Sequence, residues 1–270
     1  MSVAYDNVGP SATAATTTAG SGTWTTFSLS WSHTVSASGS NPALFVGAIF
    51  SPENNGMSAT LAATYAGVTM QSAGTVLPNS TSGVGFAQLF YLANPATGTN
   101  TVQVTATYVS GTRAVADGLI GGSVSFTGVN QTTPEQNFIT NYGSGSSGSV
   151  SVTSSSNDMT LSTLVSGTYG TTTSTNTLRW SGGNVGSQAA CNAAQATAAG
   201  ASSVSMGFSF SSDWWGIIGV DVVAAGAAFQ PDEDFPPFAP GASGGTPPIA
   251  SATGGGPAPL AMDPAVTVFQ

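Results

Sequence analysis

The chain has 270 residues, of which 40% are hydrophobic, and a formal net charge of -9. Only 5% of residues are charged, against about 25% in an ordinary domain. Lysine is absent, and Arg113 and Arg179 are the whole basic complement. There is enough apolar material for a sizeable core, but too few cations to neutralise nucleic-acid phosphates or to be drawn to anionic lipid.

Residues 1–22 are rich in Ala, Thr, Gly and Ser and read as an extended lead-in. The opening Met1-Ser2-Val3-Ala4-Tyr5-Asp6 has neither the basic nor the apolar segment of a signal peptide. No stretch approaches the roughly 18 apolar residues of a membrane-spanning helix. A β-domain is expected over 23–228. In Phe27-Ser28-Leu29-Ser30-Trp31-Ser32-His33-Thr34-Val35 the apolar residues recur at every second position, the mark of a half-buried strand. Ala43–Phe50 is apolar on both faces and reads as a central strand, entered through the Asn41-Pro42 turn.

Further strands are expected near 58–65, 67–70, 84–93, 100–108, 118–127, 149–153, 158–165, 203–210 and 214–223. Clusters such as Asn54-Asn55-Gly56, Asn94-Pro95, Asn130–Pro134 and the Ser/Gly run 143–149 punctuate them. Gln188–Ala199 has helical propensity, but strand or loop is favoured there. About ten short strands between turns predict an all-β fold, a two-sheet antiparallel sandwich of jelly-roll character.

The composition changes after Ala228. Residues 229–270 hold nine of the 15 prolines, four acids and no base. Proline fixes φ and removes a donor, so this segment predicts an extended, irregular C-terminal arm. Phe229, Phe235, Phe238, Leu260, Val266, Val268 and Phe269 are its candidate assembly contacts. Asp232-Glu233-Asp234 reads as a solvated acidic turn. Its spacing matches no EF-hand.

Little in the chain suggests catalysis. His33 is the only histidine and shares a face with Trp31 and Val35. No Gly-x-Ser-x-Gly elbow occurs between a strand and a helix; Gly143-Ser144-Gly145-Ser146-Ser147-Gly148 reads as a flexible loop. Asp6, Glu53, Asp117, Glu135, Asp158, Asp213 and Asp221 form no short acid pair on one strand. Asp213 and Asp221 read as the two ends of one apolar strand. Cys191 is the only cysteine and reads as a small buried residue, which excludes a disulfide framework and a Cys-rich zinc site. No enzyme, cofactor or metal is expected. Trp214 and Trp215 must face opposite ways on a strand. Trp180 and Trp215 are the candidate glycan contacts.

Three phrases stand out in the first half: Trp31-Ser32-His33-Thr34-Val35, Asn41-Pro42-Ala43-Leu44-Phe45-Val46-Gly47 and Thr64-Tyr65-Ala66-Gly67-Val68-Thr69-Met70. Gln88–Asn100, Val124–Pro134 and Asp213-Trp214-Trp215-Gly216-Ile217-Ile218-Gly219 follow. Over roughly 24–223 these phrases resemble a β-sandwich domain of actinobacterial phage virion proteins, of minor tail or decoration type, that is also seen in bacterial secreted proteins. It implies a structural protein of the virion surface, in tail or capsid, with other virion proteins and copies of itself as partners. It supplies no catalytic set. The alternative is a carbohydrate-binding adhesin module that contacts a host surface glycan. Neither reading involves nucleic acid or a membrane.

Overall fold

The computed structural model describes residues 1–9, 16–17, 26–51, 58–77, 85–110, 118–185 and 189–226. The chain divides into Met1–Ala227 and Ala228–Gln270, and all described residues belong to the first unit. Its strands in chain order begin with β1 Ala4–Val8, β2 Thr16–Thr17, β3 Thr26–Val35, β4 Ala43–Ser51 and β5 Ser58–Tyr65. Next come β6 Val68–Thr69, β7 Gln71–Val76, β8 Phe86–Ala93, β9 Gly98–Ser110 and β10 Gly118–Thr127. The last are β11 Glu135–Val152, β12 Met159–Ser166, β13 Thr173–Ser174, β14 Thr177–Val185, β15 Ala189–Ala199 and β16 Val204–Val222. No helix occurs among the described residues.

The antiparallel sandwich expected from the sequence is present, and it carries a third sheet. Sheet I is ordered β3-β9-β5-β6. Sheet II is β1-β10-β4-β8-β7, with β2 also on β10, and sheet III is β11-β16-β12-β15-β14, with β13 also on β16. One apolar cluster joins sheets I and II through Leu29, Trp31, Tyr65 and Val104 against Leu44, Val46, Phe50 and Phe90. Another joins sheets II and III through Phe45, Ile49, Leu89 and Phe126 against Leu161, Trp180, Ile218 and Val220. Sheet II is therefore the middle layer, which is why every residue of β4 is buried and why its sequence lacks a polar face.

On β3 burial alternates without a break, Phe27, Leu29, Trp31, His33 and Val35 inward. Its outward hydroxyls pair with β9: Ser28 and Thr105 lie 2.7 Å apart, as do Thr34 and Thr99. The face is solvated by hydroxyls instead of charges.

The strongest departure from the expected layout is β11. The Ser/Gly run 143–149, read from sequence as a loop, lies inside an 18-residue edge strand. β11 and β16 pair from Glu135↔Val222 to Val152↔Val204, with register shifts between Gln136 and Ile139 and between Gly145 and Ser147. The second shift sits beside Gly145, whose φ of 132° suits glycine. There the ribbon bends and folds back over sheet III. A Cβ on Gly219 would lie 2.6 Å from Val152 Cγ2 and 2.8 Å from Val150 Cγ2, and Val150, Val152, Met206 and Phe208 cover Leu164, Ala194, Ala196 and Ile217. The segments expected at 203–210 and 214–223 are one bent strand, β16. The expected lead-in also differs, since β1 pairs with β10 and Val3 enters the core. Gln188–Ala199 contains strand β15, held between β12 and β14; its alanines fit where both faces of a sheet are covered.

Candidate functional site

The one histidine lies between sheets I and II. β3 points Trp31 and His33 at β10, which presents small residues on that face: Gly121, Ser123 and Ser125. Trp31 Nε1 donates to Ser123 Oγ at 2.9 Å, and Ser123 Oγ is 2.9 Å from His33 Nδ1. His33 Nε2 is 3.0 Å from Ser125 Oγ, and Ser125 donates to Asp6 Oδ2 at 2.7 Å. A carboxylate only accepts, and each hydroxyl has one proton to give. Ser125 spends its proton on Asp6, so it accepts from His33 Nε2–H. Nδ1 is then bare and accepts from Ser123, which accepts from Trp31. Four hydrogen bonds run one way, from indole to carboxylate, and they fix the tautomer of a neutral imidazole.

His33 is 1% exposed and has the Tyr65 ring edge-on at 6.3 Å. Burial lowers its pKa to about 4, and the Asp6 charge pulls weakly the other way. A Ser-His-Asp hydrolase needs the acid on the imidazole and an open serine. Here the acid is on a serine, and both serines in reach of the ring are buried. The arrangement ties layers together and offers a substrate no nucleophile.

Other ionisable groups are used in the same way. Arg179 on β14 donates from Nε to Thr197 Oγ1 at 2.7 Å, and its guanidinium carbon sits 3.7 Å from the centroid of the Tyr5 ring on β1. Asp221 on β16 is fully buried; its oxygens accept from Ser154 Oγ at 2.6 Å and Gln136 Nε2 at 2.9 Å. Burial raises the Asp221 pKa, the two hydrogen bonds oppose this, and the nearby Asp158 carboxyl adds to the rise. Sequence reading missed this acid pair because its members lie on different elements. Asp158 is itself tied down, with Oδ1 accepting from Ala224 N at 2.7 Å. Asp213 accepts from Thr168 Oγ1 and from its neighbour Trp214 N. Among the described residues no three His, Cys, Asp or Glu side chains are placed to hold a metal.

The expected glycan contacts need correction. Trp180 is 2% exposed, bonded through Nε1 to Gln195 Oε1 at 2.6 Å and packed on Gly122. It fills the gap between sheets II and III and has no open ring face for a sugar. Trp215 is 7% exposed and Trp214, on the opposite face, 40%. Trp215 is therefore no stacking platform either; its ring lies against Gly143 and Gly148 of β11.

Trp215 does line an open groove of about 460 Å³ at the bend of the ribbon. Ser147 and Ser149 of β11, Ser205 and Ser209 of β16, and Thr175 bring hydroxyls to it. Asn141 lies at one side, its Nδ2 donating to Ser149 O at 2.8 Å. These positions were not singled out from sequence. The signal lay in the Gly/Ser alternation of 143–149, whose glycines let the strand lie on the Trp215 ring.

Phe229, Phe235, Phe238, Leu260, Val266, Val268 and Phe269, expected as assembly contacts, lie outside the described residues, as does Asp232-Glu233-Asp234. The chain matches no protein-family model, no curated protein and no solved structure.

Proposed function

We propose that the chain is a non-enzymatic structural protein of a phage virion surface, in tail or capsid, anchored by residues 229–270. The observation that carries the non-enzymatic part is the use of the body's buried and half-buried ionisable groups. His33, Asp6, Asp158 and Asp221 are engaged with buried or backbone partners and hold layers of sheet together. Catalysis calls for a poised acid or base within reach of a substrate, and the lone histidine is closed off on both nitrogens. The virion part rests on the phrases over 24–223 that resemble virion β-sandwich domains.

A surface rich in Ser and Thr and free of lysine suits a particle exposed to proteases. Lysine is also a common guard of sheet edges. In sheets II and III the edge strands β1, β7, β11 and β14 each carry a register shift instead, which bends them away from flat pairing; the sheet I edge strand β3 pairs without one.

The test is to purify particles made with the full chain and with a chain stopped after Ala228. The full chain is expected as a stoichiometric particle protein. The truncated chain is expected to fold, with an unchanged melting temperature, and to be missing from particles. Absence of the full chain from particles, or equal incorporation of both, overturns the reading.

A further inference from the structure

We propose that residues 265–270 of one copy of the chain add as a strand to the open edge of β5 in another copy, over an apolar slot between sheets I and II. This rests on the reading of residues 229–270 as the anchor and names what the anchor grips.

β6 begins as the partner of β5. Tyr65 pairs with Val68 and Thr64 with Thr69, and Met70 N donates to Ala63 O at 2.9 Å. The chain then leaves sheet I, because β7 pairs with β8 in sheet II. From Ala59 to Tyr65 β5 pairs with β9 without a shift, so its backbone groups alternate in direction. Ala63 O faces away from β9, and the N–H and C=O of Ala59 and Leu61 therefore face the same way. Among the described residues nothing bonds to them there. An unpaired edge is a template for one more strand.

Under this edge the two sheets stand apart. Ala59 and Leu61 of β5, Phe86 and Gln88 of β8, Thr75 of β7 and Leu77 just past its end line a space of about 440 Å³. Leu77 is 56% exposed, and Phe86 is only half-buried. No lining residue is charged. A strand added to β5 lays every second side chain into the slot, and apolar side chains there take Leu61, Leu77 and Phe86 out of water.

The chain itself holds a segment of that kind. Within 229–270, residues 265–270 are the longest run without proline or glycine. Val266, Thr267, Val268 and Phe269 are strand-forming types, and alternation puts Val266 and Val268 on one face. The four acids of the arm, at 232–234 and 263, lie outside the run, so it enters an uncharged slot without burying a charged side chain. At about 3.3 Å per residue the run spans about 20 Å, more than the Ala59-to-Leu61 stretch it has to match. Residues 229–264 supply the length to reach a neighbour. Segment and slot belong to one sequence, so copies of the chain provide both halves of the contact.

The experiment mixes two preparations of the full chain. One is labelled with nitrogen-15. The other is unlabelled and carries a nitroxide on Gln270→Cys, Cys191 being fully buried. The expected result is loss of signal at the amides of Ala59, Leu61, Leu77 and Phe86 of the nitrogen-15 chain, and none at Ser28, Ser30 and Ser32 on the opposite edge of sheet I. Leu77→Asp in the nitrogen-15 chain and Val268→Asp in the nitroxide chain are each expected to abolish the loss. Leu77 is exposed, so its substitution is expected to leave the melting temperature unchanged. No loss in the mixture, equal loss along β3, loss that survives both substitutions, or loss seen only when nitrogen-15 and nitroxide share one chain overturns the proposal. The particle experiment reads separately: incorporation of the full chain without any loss here overturns this proposal alone.

Discussion

Gly121 and Gly122 stand back to back in β10, and each receives a tryptophan from a different sheet. A Cβ on Gly121 would lie 2.6 Å from Trp31 Cη2, and one on Gly122 would lie 2.3 Å from Trp180 Cε2. Successive residues of a strand face opposite ways, so one Gly-Gly step admits an indole on both faces of sheet II. Neither site has room for a methyl group. Gly121→Ala and Gly122→Ala are each expected to cost about 1–3 kcal/mol through overpacking, read as a lower urea midpoint. Gly226→Ala, where a Cβ meets nothing within 4 Å, is expected to stay within about 0.5 kcal/mol of the parent.

Cys191 is expected to be inert in the folded protein. It is fully buried, and burial pushes its thiol up to about 12, slightly offset by a hydrogen bond with Ser51. The thiolate is the reactive form, so both access and ionisation are denied. A disulfide-exchange reagent at neutral pH is expected to leave the native chain unlabelled and to label it stoichiometrically in denaturant. Rapid labelling of the native chain would contradict the placement of β15.

The alternating strand β3 and the wholly apolar strand β4 were legible in sequence because one periodicity governs each, half-buried or buried on both faces. The opposed directions of Trp214 and Trp215 followed from the same rule. β11 was not legible. Its first half is an exposed edge with little apolar pattern, and its glycines serve a bend and a close approach to Trp215, which local composition does not distinguish from a loop. β14 was missed for a related reason, since its one large buried residue, Trp180, sits among glycines and small polar residues. Ser123 and Ser125, alternating inside the buried strand β10, were the visible trace of the His33 chain. Their partners come from residues 6 and 33, so only tertiary packing reveals the chain.

Asp221 separates acceptor chemistry from charge. Asp221→Asn keeps an oxygen for Ser154 Oγ and, once the Gln136 amide turns over, a bond to Gln136 as well. It also removes a charge whose burial is unfavourable, shown by the raised pKa. A raised carboxyl pKa means the folded state binds its proton more readily than the unfolded chain. Stability is then withheld above the folded pKa and recovered as pH falls through it. At neutral pH the Asn variant is expected to equal or exceed the parent, with the gap closing on acidification. Asp221→Ala strands the buried Ser154 hydroxyl, while the exposed Gln136 amide can turn to water, and is expected to cost about 1–3 kcal/mol. Urea unfolding of the three proteins at neutral and mildly acidic pH gives the comparison. An Asn variant as unstable as the Ala variant would contradict it.

His33 predicts a pH dependence of the opposite sign. Its folded pKa is about 4 against 6.5 in the unfolded chain. Between those values the unfolded state binds the extra proton. Stability is therefore complete above about pH 6.5 and falls as pH drops towards 4, by about 3 kcal/mol in all at 1.36 kcal/mol per unit. The geometry gives the reason. Protonation puts a second N–H on the ring, and Ser123, which donates to Nδ1 in the neutral state and accepts from Trp31, must then give up its own acceptor. His33→Gln retains one donor and one acceptor and does not titrate, so its stability is expected to change by about 3 kcal/mol less than the parent's between pH 7 and 4. Nitrogen-15 shifts of the imidazole provide an independent check. At neutral pH they are expected to show a bare Nδ1 and a protonated Nε2, and a ring carrying its proton on Nδ1 would break the chain of donors from Trp31 to Asp6.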